Sequence, residues 1–152
     1  MKIQPQARTS LSKAVLAWFA FTVMLKVVID WSGVQTLGAA LDDHWQFLDL
    51  PELLANPIHS LVTLHSQPPL LNLLVFVLAK MPGDLYGNFV WLNAACAGLT
   101  AVLLIRIASG LGLGDFLSGL VGVAYVFSPV VILNTAYPFY PNLTTLGYAL
   151  MA

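Results

Sequence analysis

Charge is what this chain has least of. Only 9% of its 152 residues are Asp, Glu, Lys or Arg, while 59% are hydrophobic; a soluble domain carries roughly 25% charged residues. So few ionisable side chains cannot cover a wettable surface, and the chain is expected to be an integral membrane protein. Its six basic residues are scattered and its net charge is -1, which argues against a nucleic-acid partner. The single cysteine, Cys96, excludes an intrachain disulfide and carries no information about redox compartment. His44, His59 and His65 lack a metal-ligand spacing, so no histidine metal site is assigned. No GxSxG, HExxH or phosphate-loop motif occurs, and the glycines of residues 110–114 follow no strand, so they are no dinucleotide fingerprint. Low-complexity tracts and repeats of fixed period are absent as well.

What is present is a series of long apolar runs, and they predict an all-α, polytopic transmembrane fold. Residues 1–13 carry Lys2, Arg8 and Lys13 with no acid, which sets the N-terminus on the cytoplasmic side. The first span covers residues 14–31, near the length needed to cross a bilayer. A cleaved signal peptide processed near Ala39 and Ala40 is the rival reading of this region. Lys26 lies inside the span and is expected to snorkel toward the far interface, with contact to an anionic lipid headgroup as the alternative. Further spans are expected at residues 68–81, which is short, at 85–107 and at 116–133. Gly119 and Gly122 offer small surfaces for close helix packing. Residues 142–152 begin another apolar helix and then stop, as expected of the N-terminal part of a longer protein. Asn142-Leu143-Thr144 matches a glycosylation sequon, a pattern frequent by chance.

The loop at residues 32–67 holds Asp42, Asp43, Asp49 and Glu52 with no Lys or Arg, which places it on the outer side. Asp49-Leu50-Pro51-Glu52 has the form of a capping box: Asp49 would cap amides and Glu52 would reach back. A second short helix is expected from Asn56-Pro57, with Ile58, Leu61, Val62 and Leu64 on an apolar face lying along the membrane surface. Four alternating spans put Arg106 outside, against the positive-inside tendency. If residues 69–81 do not fully cross, Arg106 becomes cytoplasmic and the turn at residues 137–141 joins the acidic loop. The alternating arrangement is the expectation retained.

The loop ends at His65-Ser66-Gln67-Pro68-Pro69-Leu70-Leu71-Asn72. Consecutive prolines suit the first turn of a helix, which should begin at Pro68 or Pro69. Its unpaired amides and positive dipole end would face the acidic loop, with His65 and Gln67 just ahead and Asn72 one turn inside. Such an end can hold an anionic group such as a phosphate, or can simply be a helix start at a membrane surface. Asp42 and Asp43 have no evident structural duty, and a carboxylate there can accept a proton from a hydroxyl or hold a divalent cation through oxygen ligands.

The order of these parts resembles the N-terminal module of GT-C fold membrane glycosyltransferases. It has a basic start, one span and an acidic outer loop with juxtamembrane helices. Leu64-His65-Ser66-Gln67-Pro68-Pro69-Leu70-Leu71-Asn72-Leu73-Leu74 then follows. The likeness is to bacterial relatives of protein O-mannosyltransferases and aminoarabinose transferases, loosely glycosyltransferase family 39, and Ser128-Pro129 and the turn at 137–141 extend it along nearly the whole chain. It implies a bacterial inner-membrane enzyme that moves a sugar from a polyprenyl-phosphate-linked donor to an acceptor at the outer face. It also implies an acidic base or metal ligand in the first outer loop, matched here by Asp42 and Asp43 with Asp49 as fallback. His65, Gln67 and Asn72 would lie near the donor phosphate. The family's usual Asp-Glu is Asp-Asp here, and Gln67 stands where a basic residue is common. The rival readings are a transporter or flippase segment and a non-catalytic assembly subunit.

Overall fold

The computed structural model describes residues 5–33, 48–63, 69–137 and 141–151, and every described element is helical. The helices are α1 (Pro5–Ser32), α2 (Leu50–Ala55), α3 (Pro57–Val62), α4 (Pro69–Ala79), α5 (Leu85–Gly110), α6 (Asp115–Val126), α7 (Pro129–Ala136) and α8 (Pro141–Met151). The all-α class expected from the composition is therefore observed. Two helices are long and apolar enough to cross a membrane: α1 through Leu11–Ser32, 22 residues, and α5, 26 residues. At about 1.5 Å per residue each exceeds the roughly 30 Å hydrocarbon core of a bilayer.

The chain divides into two compact units, Met1–Val34 with Trp91–Ala152, and Gln35–Val90. In the first unit, α5 shares a buried core with α1, α6 and α7, and α7 also packs against α1, α6 and α8. Ala94, Ala97 and Ala101 fall at i, i+3 and i+7 and are fully buried, so they form one helix face that admits a close neighbour. They cluster with Leu25 of α1, Val126 of α6 and Val131 of α7, and Phe21, Met24, Tyr125 and Ile132 pack around them. Gly98 interrupts this face where α1 approaches. A methyl group added there would lie 2.8 Å from Thr22 Oγ1 and 3.1 Å from the Trp18 carbonyl. Trp18 Nε1 donates to the Ala95 carbonyl at 2.9 Å, tying the same two helices.

The direction of α1 against α5 follows from two contact levels. Thr22 meets Gly98, and one turn further along α1 the Lys26 ammonium lies 5.6 Å from the Trp91 ring centroid. Advancing along α1 therefore retreats along α5, so the pair is antiparallel. The return from α5 is also antiparallel. A Cβ on Gly122 would press on Ile105 at 2.6 Å, while at the far end Asn93 Nδ2 donates to the Tyr137 carbonyl at 2.9 Å.

Residues 116–133, expected as a single straight span, are instead divided between α6 and α7, which meet at 49°. Pro129 is the cause: it has no amide to donate, its ring clashes with the carbonyl four residues back, and it drives the preceding residue toward extended geometry. Ser128 has φ -61° and ψ 129°, and Pro129 takes the first position of α7. Gly122 provides the expected close approach, whereas nothing lies within 4 Å of a Cβ on Gly119.

These contacts fix a prediction. In thermal unfolding of detergent-solubilised protein followed by tryptophan fluorescence, Gly98→Val should lose about 1–3 kcal/mol from overpacking. Gly119→Val, which meets open space, should stay within about 0.5 kcal/mol of the parent. Equal loss in both would remove Gly98 as the contact that sets the α1–α5 spacing.

Candidate functional site

The second unit contains the end of the acidic segment and the proline-started helix. Helix α4 is helical from Pro69, its first described residue, with Pro68 and the residues before it outside the described residues, and α3 begins at Pro57 behind Asn56, as predicted. Helices α2, α3 and α4 pack against one another. Leu53 of α2 is fully buried, and Ser60 Oγ donates to the Glu52 carbonyl at 3.4 Å. At the C-terminal end of α4, Asn88 Nδ2 donates to the Leu78 carbonyl at 3.0 Å, and at the N-terminal end of α5 the Gly87 amide donates to Asp84 Oδ1 at 2.7 Å. Both bonds satisfy groups that a helix end leaves unpaired.

The contact that organises this unit is made by Asn72. Its side chain is fully buried and its Oδ1 accepts the Leu48 amide at 2.8 Å. The end of the acidic segment is thereby held against the first turn of α4. Asn72 was expected near a donor phosphate; its oxygen is instead committed to protein backbone. Asp49, one residue beyond the tether, is exposed. Asp42, Asp43, His65 and Gln67 lie outside the described residues, as does His44.

The capping box is corrected. Asp49 is the N-cap of α2, and its carbonyl accepts the Leu53 amide at 3.0 Å, but its carboxylate makes no capping bond. Of the amides two and three residues on that an N-cap side chain can reach, Pro51 has none, and the Glu52 amide, the capping-box partner, is not taken by the Asp49 carboxylate. The Asp49 carboxylate is left facing solvent. The surface-lying face expected for α3 is only partly as drawn: Ile58 and Val62 are 79% and 78% exposed, with Leu61 half-buried. Leu64 lies outside the described residues. Ile58 and Val62, with Ala55, Asn56, Pro57 and His59, line an open groove of about 540 Å³. It contains no acidic side chain.

Two arrangements in the first unit were not anticipated. The Lys26 ammonium lies 2.6 Å from both carboxylate oxygens of Asp30, so its charge is met one turn away on its own helix. The i,i+4 spacing was the available signal. The second is a buried polar cluster at the α7–α8 corner. Asn142 Nδ2 donates to Thr135 Oγ1 at 3.0 Å and to the Asn93 carbonyl at 3.4 Å. Asn93 and Thr135 are fully buried, and Asn93 Oδ1 has no hydrogen-bond partner. Asn142 is 2% exposed with its amide engaged, so the sequon match is not an open acceptor in this fold. Among the described residues no group of three His, Cys, Asp or Glu side chains is placed to hold a metal ion.

No family model, no curated protein and no solved structure matches the chain. The site is therefore weighed on its own geometry.

The tether is directly testable. Asn72→Leu should speed hydrogen exchange at the Leu48 amide by about tenfold or more, since losing a buried partner costs about 1–3 kcal/mol. Exchange unchanged from the parent would show that Asn72 does not hold the segment.

Proposed function

We propose that the chain is the N-terminal transmembrane module of a membrane glycosyltransferase. The enzyme would transfer a sugar from a polyprenyl-phosphate-linked donor to an acceptor hydroxyl at the outer face of the membrane. The observation that carries this reading is the Leu48–Asn72 bond, because it brings the end of the acidic segment to the first turn of a helix started by proline. An exposed carboxylate, Asp49, follows the tether directly, and helix α4 is apolar enough to bury itself in lipid. Carboxylates beside a helix amide end at a membrane suit a reaction that needs a base and a seat for phosphate.

In this reading an Asp43 carboxylate, aided by Asp42 and with Asp49 as the alternative, takes the proton from the acceptor hydroxyl. The acceptor oxygen bonds to the anomeric carbon as the bond from that carbon to the phosphate oxygen breaks, and polyprenyl phosphate leaves. The departing negative charge is met by the amide end of α4 and by His65 and Gln67. Asn72 acts as a positioning residue that fixes the acidic segment. A divalent cation, if the reaction uses one, would be held by the Asp42 and Asp43 oxygens and would supply further charge stabilisation. In this reading the protein sits in a bacterial inner membrane, as the glycosyltransferase resemblance implies, with the basic start of the chain on the cytoplasmic side.

Asp43→Asn in the full protein, assayed for sugar transfer from a radiolabelled polyprenyl-phosphate donor, should lower turnover by about 10²–10⁴-fold, the contribution of a general base. Insertion into the membrane should be unaffected. Unchanged product from Asp42→Asn, Asp43→Asn and the double variant would remove the proposed base and return the chain to the transport or assembly readings.

A further inference from the structure

We propose that this chain crosses the membrane three times and not four. The crossings are α1, α5 and the bent pair α6–α7, and residues 33–84 begin and end on one face. Helix α4 is then inserted into a single leaflet, with Leu70, Leu73 and Val77 against its acyl chains. This inference needs only the membrane character of the chain and stands without the transferase reading.

Geometry inside the first unit carries it. Since α1 and α5 are antiparallel, with Thr22 at the level of Gly98 and Lys26 at the level of Trp91, α5 starts on the face where α1 ends. A chain that leaves and re-enters at the same face makes an even number of crossings between. Among the described residues of that stretch only α4 is apolar with ten or more residues, so a single crossing by α4 is ruled out by parity. Its described length agrees: 11 residues rise about 16 Å, roughly half of a 30 Å hydrocarbon core. Leu70 is 80% exposed, Val77 49% and Leu73 43%, an apolar surface that water would not favour and one leaflet satisfies.

Counting basic residues does not discriminate between the two topologies. Lys2, Arg8 and Lys13 stay with the N-terminus in both, and Lys80 and Arg106 merely exchange faces. The antiparallel contact decides what charge leaves open. It puts Arg106 and the 110–114 connector on the N-terminal face. The corner at Tyr137, reached by the antiparallel return of α6–α7, comes to the face where the acidic segment starts.

The test uses the full protein with Cys96→Ala, single introduced cysteines and a membrane-impermeant maleimide applied to intact cells and to inverted vesicles. His59→Cys and Leu111→Cys should label from opposite faces. Met81→Cys should label from the face that labels His59→Cys or, if its turn is sunk in the leaflet, from neither. Leu113→Cys and Pro82→Cys repeat the measurement at neighbouring positions, so one misfolded variant cannot decide it. Labelling of Leu111→Cys from the same face as His59→Cys, with Met81→Cys opposite, would overturn the proposal in favour of four crossings. Loss of transfer in an Asp43 variant has no bearing on this pattern, so the two readings fail separately.

Discussion

The buried core of the first unit depends on how closely α1 and α6 approach α5. In a membrane the hydrophobic effect does not drive helices together, because lipid tails are as apolar as leucine, and close packing of small residues takes its place. Ala94, Ala97, Gly98 and Ala101 supply that surface. Gly98 lets the α1 backbone come within contact distance, and Gly122 of α6 answers on another side of α5 through Ile105. The Trp18 indole bond to the Ala95 carbonyl adds direction to an otherwise featureless apolar contact. Because these contacts fix the sense of α1 against α5, they also fix which ends of the chain share a face.

A second constraint is that polar groups inside an apolar assembly must find partners. Proline at 129 divides one crossing into two helices, and the corner beyond α7 gathers Asn93, Thr135 and Asn142 into a hydrogen-bonded group. Such groups hold a bend in place because each alternative arrangement strands a donor. One acceptor, Asn93 Oδ1, is left unmet, at a corner where the chain already departs from regular helix. Lys26 follows the same logic differently, with Asp30 supplying its counter-charge one turn away.

Helix class, the two long apolar helices and the start at Pro57 are legible because each rests on local rules: hydropathy over about twenty residues and the fixed geometry of proline. The bend at Ser128-Pro129 was available from the same rule, but the hydrophobic average across 116–133 concealed it. Asp49 caps α2 by position alone: Pro51 removes one amide its side chain could reach, and the carboxylate does not bond the other, at Glu52, which spacing does not reveal. Gly98 and the Asn93–Asn142 cluster were invisible for a different reason. Their roles arise between residues far apart in sequence, and one chain carries no record of which helix faces meet. Asn72 is expected from its place one turn inside α4 to lie near a phosphate, and its backbone partner, the Leu48 amide 24 residues away, cannot be read from spacing.

The functional reading joins these layers. A segment rich in carboxylates is tied at its end to a helix that follows consecutive prolines, and in a membrane the antiparallel packing of α1 against α5 sets the face on which that segment starts. The claim beneath all of it is the antiparallel run of α1 against α5. Its most direct measurement is a pair of spin-label distances in the Cys96→Ala protein, one between Leu11→Cys and Leu111→Cys and the other between Leu11→Cys and Trp91→Cys. The antiparallel pair predicts the first distance shorter than the second by about 15 Å or more, from the 1.5 Å rise per residue along α5. The reverse order would mean parallel helices and would contradict the account.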